Sequence, residues 1–193
     1  IKPSSVDHVL AAALPLAALT AWQALLDHAK LVAGQSVLVT GGAGGVGAYV
    51  VQLARHFGAR VGATISTGDQ TEYVRGLGAD QVFVLIAAGA YDIVIDTVGG
   101  AALPSAYSYV RHGGRLITLS APPSPELSLA RDIRDEFFVV RPNRGQLDQI
   151  ARLVDTGALK PLVSETFELA DTPAAYADRG RHGGPGKTVI IVQ

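Results

Sequence analysis

The chain has 193 residues and a mass of 20.0 kDa, which suits one large domain or one domain with part of another. Hydrophobic residues make up 48% of it, enough for a sizeable core, and a net charge of −1 argues against a nucleic-acid partner or an anionic membrane surface. The absence of cysteine excludes disulfides and thiolate metal sites.

The sequence shows no apolar run long enough to span a membrane and no signal peptide. We therefore expect a cytoplasmic protein. The sequence begins at Ile1 and contains no methionine, so we also expect it to be a piece of a longer protein.

The first third of the chain carries clear periodic patterns. Val9–Leu31 is rich in alanine and leucine and predicts two short helices hinged near Pro15. Ser36–Thr40 has the uninterrupted apolar run of a buried parallel strand. A helical pattern runs from about residue 44 to 57, and Arg60–Ile65 predicts a second strand. These last three segments form one βαβ unit.

A glycine motif, Gly42-x-Gly44-x-x-Gly47, lies where the first strand ends and the helix begins. In dinucleotide-binding proteins the first glycine permits a tight turn, the second lets a pyrophosphate approach the backbone, and the third lets the helix pack against the strand. Free N–H groups at the start of the helix attract the phosphates. The alternative is a glycine-rich turn without a ligand, but the strand–turn–helix context favours a dinucleotide site.

The tip of the second strand indicates which dinucleotide binds. NAD-binding units carry an acidic residue about twenty positions beyond the motif. Here Thr64–Gly68 contains no carboxylate, and the first acid is Asp69. Small hydroxyl side chains leave room for a 2′-phosphate, which a carboxylate would repel. The nearest basic residue is Arg75, and the sequence favours NADP over NAD.

The middle of the chain continues to alternate between helix and strand. In chain order we predict a helix at Asp69–Leu77, strands at Gln81–Ile86 and Tyr91–Thr97, a helix at Gly99–Tyr109, a fifth strand at Arg115–Leu119 and a proline-rich loop at Ala121–Pro125. The link Ala87–Ala90 is shorter than an ordinary parallel crossover. Either it is a bare extended link, or the third strand is misassigned, or loop residues are missing from the sequence.

The last part of the chain changes character. We predict a sixth strand at Phe137–Val140, a helix at Arg144–Asp155, a strand at Pro161–Leu169, a short helix at Thr172–Asp178 and a final strand at Lys187–Val192. The elements after residue 158 are too few for a domain. We therefore expect these elements to be pieces that complete a second domain.

Seven stretches together resemble the medium-chain dehydrogenase/reductase superfamily, and within it the zinc-independent quinone oxidoreductase-like branch. In chain order they are ALPLAALTAWQAL (Ala13–Leu25), VTGGAGGVG (Val39–Gly47), LGAD (Leu77–Asp80), DTVGG (Asp96–Gly100), GGRLITLS (Gly113–Ser120), PNRGQL (Pro142–Leu147) and GKTVIIV (Gly186–Val192). They span nearly the whole chain, which is more specific than any single motif.

The resemblance implies a doubly wound α/β fold, with a six-stranded parallel Rossmann sheet followed by elements of a partial GroES-like β domain. It implies a lead-in at residues 1–20, a dinucleotide-binding domain at 21–158 and a C-terminal return at 159–193. Family members have most of the GroES-like domain before the position of Ile1. That substrate-contacting part is therefore expected to be missing here.

No metal site is expected. Zinc-dependent family members have a cysteine ligand where this sequence has Leu14-Pro15-Leu16, and leucine cannot ligate zinc. The histidines are scattered, and none is spaced as a ligand pair. The Tyr-x-x-x-Lys of short-chain reductases and the Gly-x-Ser-x-Gly of serine hydrolases do not occur either.

The resemblance implies an oxidoreductase that transfers a hydride from NADPH to a small molecule, a quinone or an enone. It places the pyrophosphate on Gly44, Gly45, Val46 and Gly47, the adenosine ribose near Ser66, Thr67 and Val98, and the nicotinamide near Leu119 and Ser120. Asp96 either orients a loop or touches the cofactor. No residue can be assigned as the catalytic proton donor.

Two other functions stay open: a non-catalytic NADP-binding or sensing domain, and an NAD-dependent alcohol dehydrogenase, which the missing zinc ligand disfavours. We also expect a homodimer. Phe137–Val140 is an apolar strand at the sheet edge in the family's strand order, and family members dimerise through that edge. The alternative is that Ala121–Glu136 folds over the edge and caps it.

Overall fold

The computed structural model describes residues 2–84, 90–177 and 185–192. The α-helices are α1 (His8–Ala12), α2 (Pro15–Trp22), α3 (Gly47–His56), α4 (Thr71–Gly76), α5 (Leu103–Tyr109), α6 (Pro125–Arg131), α7 (Arg144–Asp155) and α8 (Thr172–Ala177), and a π-helix at Gln23–His28 continues α2. The strands are β1 (Ser36–Thr40), β2 (Arg60–Thr64), β3 (Gln81–Phe83), β4 (Tyr91–Asp96), β5 (Val110–Thr118), β6 (Arg134–Phe137), β7 (Val163–Glu168) and β8 (Lys187–Ile191).

Six parallel strands form one sheet in the order β3-β2-β1-β4-β5-β6. The order reverses between β1 and β4, as in the two halves of a dinucleotide-binding sheet. The predicted doubly wound Rossmann fold is confirmed. β7 and β8 pair in parallel in a separate two-stranded sheet, in the segment where the return to a second domain was predicted.

The core lies on both sides of β1, the central strand. Val37, Leu38 and Val39 are fully buried, as their apolar run predicted. α3 is buried from Gly47 to Ala54 because it packs between the sheet and α2. This helix begins about three residues later than predicted, since the glycine turn occupies the residues before it.

The sixth strand is displaced from the predicted Phe137–Val140, which is a correction. β6 is Arg134–Phe137, and it pairs with β5 from Arg115 to Thr118. Phe138 is instead buried under the sheet edge, where its ring stacks on His28 with centroids 4.0 Å apart. The apolar signal at Phe138 therefore reflects side-chain packing just after β6, not strand pairing. β6 itself is mostly exposed, so hydrophobicity does not reveal it.

The fifth strand and the segment after it also differ from the prediction, and several other elements are shorter at one or both ends. β5 begins at Val110 rather than Arg115, with an irregular register against the start of β4. α6 follows directly on the predicted loop, where no helix was expected. Ser124 caps α6 by accepting from the Leu127 N–H, and Pro125 occupies its first turn, where a missing N–H costs little.

The third strand is confirmed as β3, paired with β2 at the far edge of the sheet. It covers Gln81–Phe83. The predicted end of this strand at Ile86 lies outside the described residues. So does most of the short link at Ala87–Ala90.

Asp92 joins β4 to its two neighbouring strands. Its carboxylate accepts hydrogen bonds from the Ser36 N–H at 2.8 Å, the Ser36 hydroxyl at 2.7 Å and Arg111 Nε at 2.6 Å. Burial raises the pKa of Asp92, but the hydrogen bonds from Ser36 and the charge and hydrogen bond of Arg111 outweigh it and lower the pKa to about 2.

We expect Asp92→Asn to destabilise the fold at pH 7 by about 1–2 kcal/mol, allowing for solvent screening. Because the folded pKa is depressed, this contribution is present above the unfolded value of about 4 and is lost as the pH falls towards 2. Urea unfolding at pH 7 and at pH 3 measures the difference. Glu165→Gln, in an exposed strand position, is the control. An Asp92→Asn deficit that is as large at pH 3 as at pH 7 would contradict this account.

Candidate functional site

A cavity of about 670 Å³ opens at the carboxyl ends of β1, β2 and β4. Thr40, Thr64 and Thr97, which stand at or just beyond these strand ends, line it. The cavity lies where the strand order reverses between β1 and β4. Open α/β sheets bind their ligands at this position.

The glycine turn forms one wall of the cavity and is tied to β2. Gly41 has a φ of +69°, which favours glycine. Its N–H donates to Thr64 Oγ1 at 3.2 Å, and the Gly42 N–H donates to the Thr64 carbonyl at 2.8 Å. A Cβ on Gly42 would lie 2.7 Å from the Cβ of Ala63, and one on Gly47 would lie 2.1 Å from the Gly41 carbonyl oxygen. Gly42 and Gly47 therefore serve close packing.

Gly44 is exposed and lines the cavity. A Cβ there would meet only the Gly41 carbonyl oxygen, at 3.1 Å. Within the described part of the chain, the N–H groups of Gly45 and Val46 donate no hydrogen bond. They stand at the start of α3, where the helix dipole is positive. This arrangement fits an anionic group such as a pyrophosphate.

A hydrogen-bond network holds the loop after β4 against the end of β1. Thr40 Oγ1 donates to the buried carboxylate of Asp96 at 2.6 Å and accepts from the Thr97 N–H at 3.1 Å. Thr97 Oγ1 donates to the Thr40 carbonyl at 2.6 Å. The Gly99 N–H donates to the other Asp96 oxygen at 3.0 Å. Asp96 therefore orients the loop that carries Val98 into the cavity wall, the first of its two predicted roles.

The tip of β2 presents hydroxyl groups to solvent. Ser66 is exposed at the cavity, and its hydroxyl donates to Gln70 Oε1 at 3.2 Å. Thr67 is also exposed, and its hydroxyl donates to the carboxylate of Asp69. Arg75 is bound to Glu72 at 2.9 Å, so it is engaged on its own helix.

Leu119 and Ser120 follow the end of β5 and lie beside the loop after β4. They do not line the cavity. The Leu119 N–H donates to the Asp96 carbonyl at 3.0 Å. Ser120 Oγ donates to the Thr97 carbonyl at 3.3 Å, and a Cβ on Gly99 would lie 2.5 Å from the Ser120 Cβ. Ser120 therefore contacts the 97–99 loop, and Leu119 contacts Asp96 just before it.

Four of the predicted site residues line the cavity: Gly44, Gly45, Ser66 and Val98. The structure places the other six beside it: Gly42, Val46, Gly47, Thr67, Leu119 and Ser120. Sequence reasoning missed further lining residues, including Thr40, Gly41, Thr64, Gln70, Thr97 and Tyr109. The three threonines had a signal, because each lies at or next to the end of a predicted parallel strand, and the carboxyl ends of parallel strands share one edge of the sheet. Tyr109, from α5, had no sequence signal that would place it at the cavity.

The sequence was compared with known families. The family described as "Zinc-binding dehydrogenase" matches residues 77–190, more than half of the chain. The chain belongs to this family. The predicted resemblance to medium-chain dehydrogenases/reductases is therefore confirmed.

Two curated relatives of this chain have names that state an activity. It is 31% identical to "NAD(P)H oxidoreductase RTN4IP1, mitochondrial" of Mus musculus, over 99% of this chain and 57% of that protein. It is 34% identical to "NADPH-dependent alkenal/one oxidoreductase, chloroplastic" of Arabidopsis thaliana, over 98% of this chain and 49% of that protein. The chain thus spans about half the length of these curated relatives.

Among solved structures, the quinone oxidoreductase from Coxiella burnetii superposes with a TM-score of 0.89 at 27% identity. The match covers 100% of this chain and 63% of that protein. The similarity extends through both sheets, since the whole chain is covered.

Residues 2–84, 90–177 and 185–192 bear on the metal and membrane predictions. In those residues no group of three or more histidine, aspartate or glutamate side chains could hold a metal ion. None of their helices is both long and apolar enough to cross a bilayer. Leu16, near the position of the zinc-ligand cysteine in other members, is 64% exposed. Zinc independence stays a prediction for this chain.

Proposed function

We propose that this chain is the cofactor-binding part of an NADPH-dependent oxidoreductase that reduces a quinone or an enone without zinc. The observation that carries the proposal is the cavity at the switch point of the sheet. There Gly44 has no side chain, and the N–H groups of Gly45 and Val46 donate no hydrogen bond among the described residues, so this turn can receive a pyrophosphate. The names of the Arabidopsis and Coxiella proteins support the substrate class.

The residues of the chain bind and orient the cofactor. In this proposal Gly44–Gly47 hold the pyrophosphate, Ser66, Thr67 and Val98 lie at the adenosine ribose, and Leu119 with Ser120 lie towards the nicotinamide. Bound NADPH supplies the hydride, from C4 of its nicotinamide. The Asp96 network keeps the 97–99 loop in place beside it.

The choice of NADP rests on the tip of β2. The exposed hydroxyl of Ser66 can donate to a 2′-phosphate, while Thr64–Gly68 contributes no carboxylate to repel it. The hydroxyl of Thr67 is bound to Asp69 and would have to change partner. The Arabidopsis relative is named as an NADPH-dependent enzyme, which supports the same choice.

We expect calorimetric titration to show tighter binding of NADPH than of NADH. Addition of a simple quinone to the protein that carries this chain should then consume NADPH, also in the presence of EDTA. Clearly tighter NADH binding would make Asp69 the ribose contact and refute the cofactor assignment. Binding without turnover favours the sensing domain, and loss of turnover in EDTA that zinc restores favours the alcohol dehydrogenase.

We propose the division of the chain into a lead-in at 1–20, a dinucleotide-binding domain at 21–158 and a C-terminal return at 159–193. The two-stranded β7–β8 sheet supports the last boundary. Cytoplasmic location stays a prediction, since the two curated relatives are named as mitochondrial and chloroplastic proteins.

We further propose a homodimer through the β6 edge of the sheet. β6 is the terminal strand, and within the described residues no strand pairs with its outer side. The predicted alternative, a cap formed by Ala121–Glu136, is weakened because residues 134–136 are part of the edge strand itself. Val139, just beyond β6, is 71% exposed and would stand at the contact.

We expect Val139→Lys to convert a dimer into a monomer, because it places like charges against each other across the two-fold axis. Light scattering at micromolar concentration measures the mass. Leu129→Lys is the matched control, since Leu129 is 84% exposed on α6, a helix that contacts α5. A monomeric wild type, or a dimer that survives Val139→Lys, would refute the proposed interface.

A further inference from the structure

Lys187, the first residue of β8, lies over the glycine turn. A Cβ built on Gly45 would lie 2.7 Å from Lys187 Cδ, 3.6 Å from Lys187 Nζ and 3.3 Å from the Gly186 carbonyl oxygen. The aliphatic stem of Lys187 therefore crosses the turn where Gly45 has no side chain. Its ammonium group is beside the turn that faces the cavity.

The position of Lys187 is fixed from α3. The Gln52 side-chain amide donates to the Lys160 carbonyl at 3.2 Å, and the Lys160 N–H donates to Gln52 Oε1 at 2.8 Å. The Leu162 N–H donates to the Tyr49 hydroxyl at 3.0 Å, and the Lys187 N–H donates to the Leu162 carbonyl at 2.9 Å. The helix whose first turn faces the cavity thus also anchors the segment that carries Lys187.

The ammonium group of Lys187 has no counterion in the described part of the chain. There it makes neither a hydrogen bond nor an ion pair, whereas Arg55 is bound to Asp80 and Arg111 to Asp92. No charged side chain lines the cavity within the same residues. Lys187 is therefore a cation without an acceptor, next to backbone N–H groups that also lack one.

We infer that Lys187 is a cofactor-binding residue whose ammonium group pairs with the pyrophosphate held on Gly44–Gly47. This inference rests on the proposed function. Backbone N–H groups contribute only partial charges to a doubly charged pyrophosphate, and a lysine ammonium adds a full charge. Because Lys187 belongs to the C-terminal return, phosphate binding would also tie the β7–β8 sheet to the glycine turn.

The test compares NADPH affinity, measured by calorimetry, in the wild type, Lys187→Met and Lys187→Arg. Methionine keeps an unbranched stem over Gly45 but removes the charge. We expect Lys187→Met to weaken NADPH binding about tenfold, and Lys187→Arg to restore much of it. The loss should shrink at high salt, because screening reduces the wild-type advantage. Lys30→Met, at an exposed lysine before β1, should bind like the wild type.

Competition with adenosine 2′-monophosphate, which has a 2′-phosphate but no pyrophosphate, locates the contact. We expect it to bind Lys187→Met and the wild type equally. Weaker binding to Lys187→Met would place Lys187 on the 2′-phosphate and overturn the inference. Wild-type NADPH affinity in a folded Lys187→Met would overturn it as well, leaving the proposed function intact. A wild type that binds no NADPH would instead refute the proposed function and this inference together.

Discussion

Replacing Gly44 by valine is expected to abolish NADPH binding while leaving the fold largely intact. Gly44 is exposed at the cavity, and a Cβ there meets only the Gly41 carbonyl oxygen, at 3.1 Å. The folded chain can relax by a few tenths of an ångström to admit it. The two methyl groups of valine, however, would occupy the space of the pyrophosphate and separate it from the N–H groups of α3.

Calorimetry should show a loss of NADPH affinity of at least about a hundredfold, equivalent to about 2.8 kcal/mol. The free energy of unfolding in urea should change by less than about 1 kcal/mol. Gly76→Val is the control, because a Cβ at Gly76 meets nothing within 4 Å. If Gly44→Val binds NADPH as the wild type does, the glycine turn is not the phosphate site.

Gly47→Ala is expected to have the largest effect on stability. A Cβ at this position would lie 2.1 Å from the carbonyl oxygen of Gly41, 2.9 Å from its carbonyl carbon and 3.2 Å from the Gly42 Cα. All three are backbone atoms of the turn, which hydrogen bonds hold to the end of β2. Relief of the overlap requires α3 to move away from β1, which disrupts the buried interface between them.

We expect Gly47→Ala to lower the free energy of unfolding by about 3 kcal/mol or more and to weaken NADPH binding, since the start of α3 is displaced. Urea unfolding monitored by circular dichroism measures the first effect. Gly76→Ala adds the same methyl group at the end of α4 without a clash, so it should be neutral or slightly stabilising. An unfolding midpoint for Gly47→Ala equal to that of the wild type would contradict the packing role.

The sequence by itself determined the elements whose signals are local. The helix Arg144–Asp155 is observed with the predicted bounds, because its apolar spacing, the Asn143 cap and Gly157 all lie within it or beside it. β1 is also observed as predicted, since a central strand buried on both faces must be continuously apolar. The glycine motif identified the turn because all of its signal lies in a few neighbouring residues, Gly42 to Gly47.

Only the tertiary structure decided the edges and the long-range contacts. β6 is Arg134–Phe137 because backbone pairing with β5 selects it, and an exposed edge strand needs no apolar pattern. The apolar Phe138 packs on His28, a partner that the sequence pattern does not indicate. The position of Lys187 over Gly45 depends on side chains of α3 that hold the C-terminal return. Contacts between residues so far apart are set by packing of whole elements, which local periodicity does not encode.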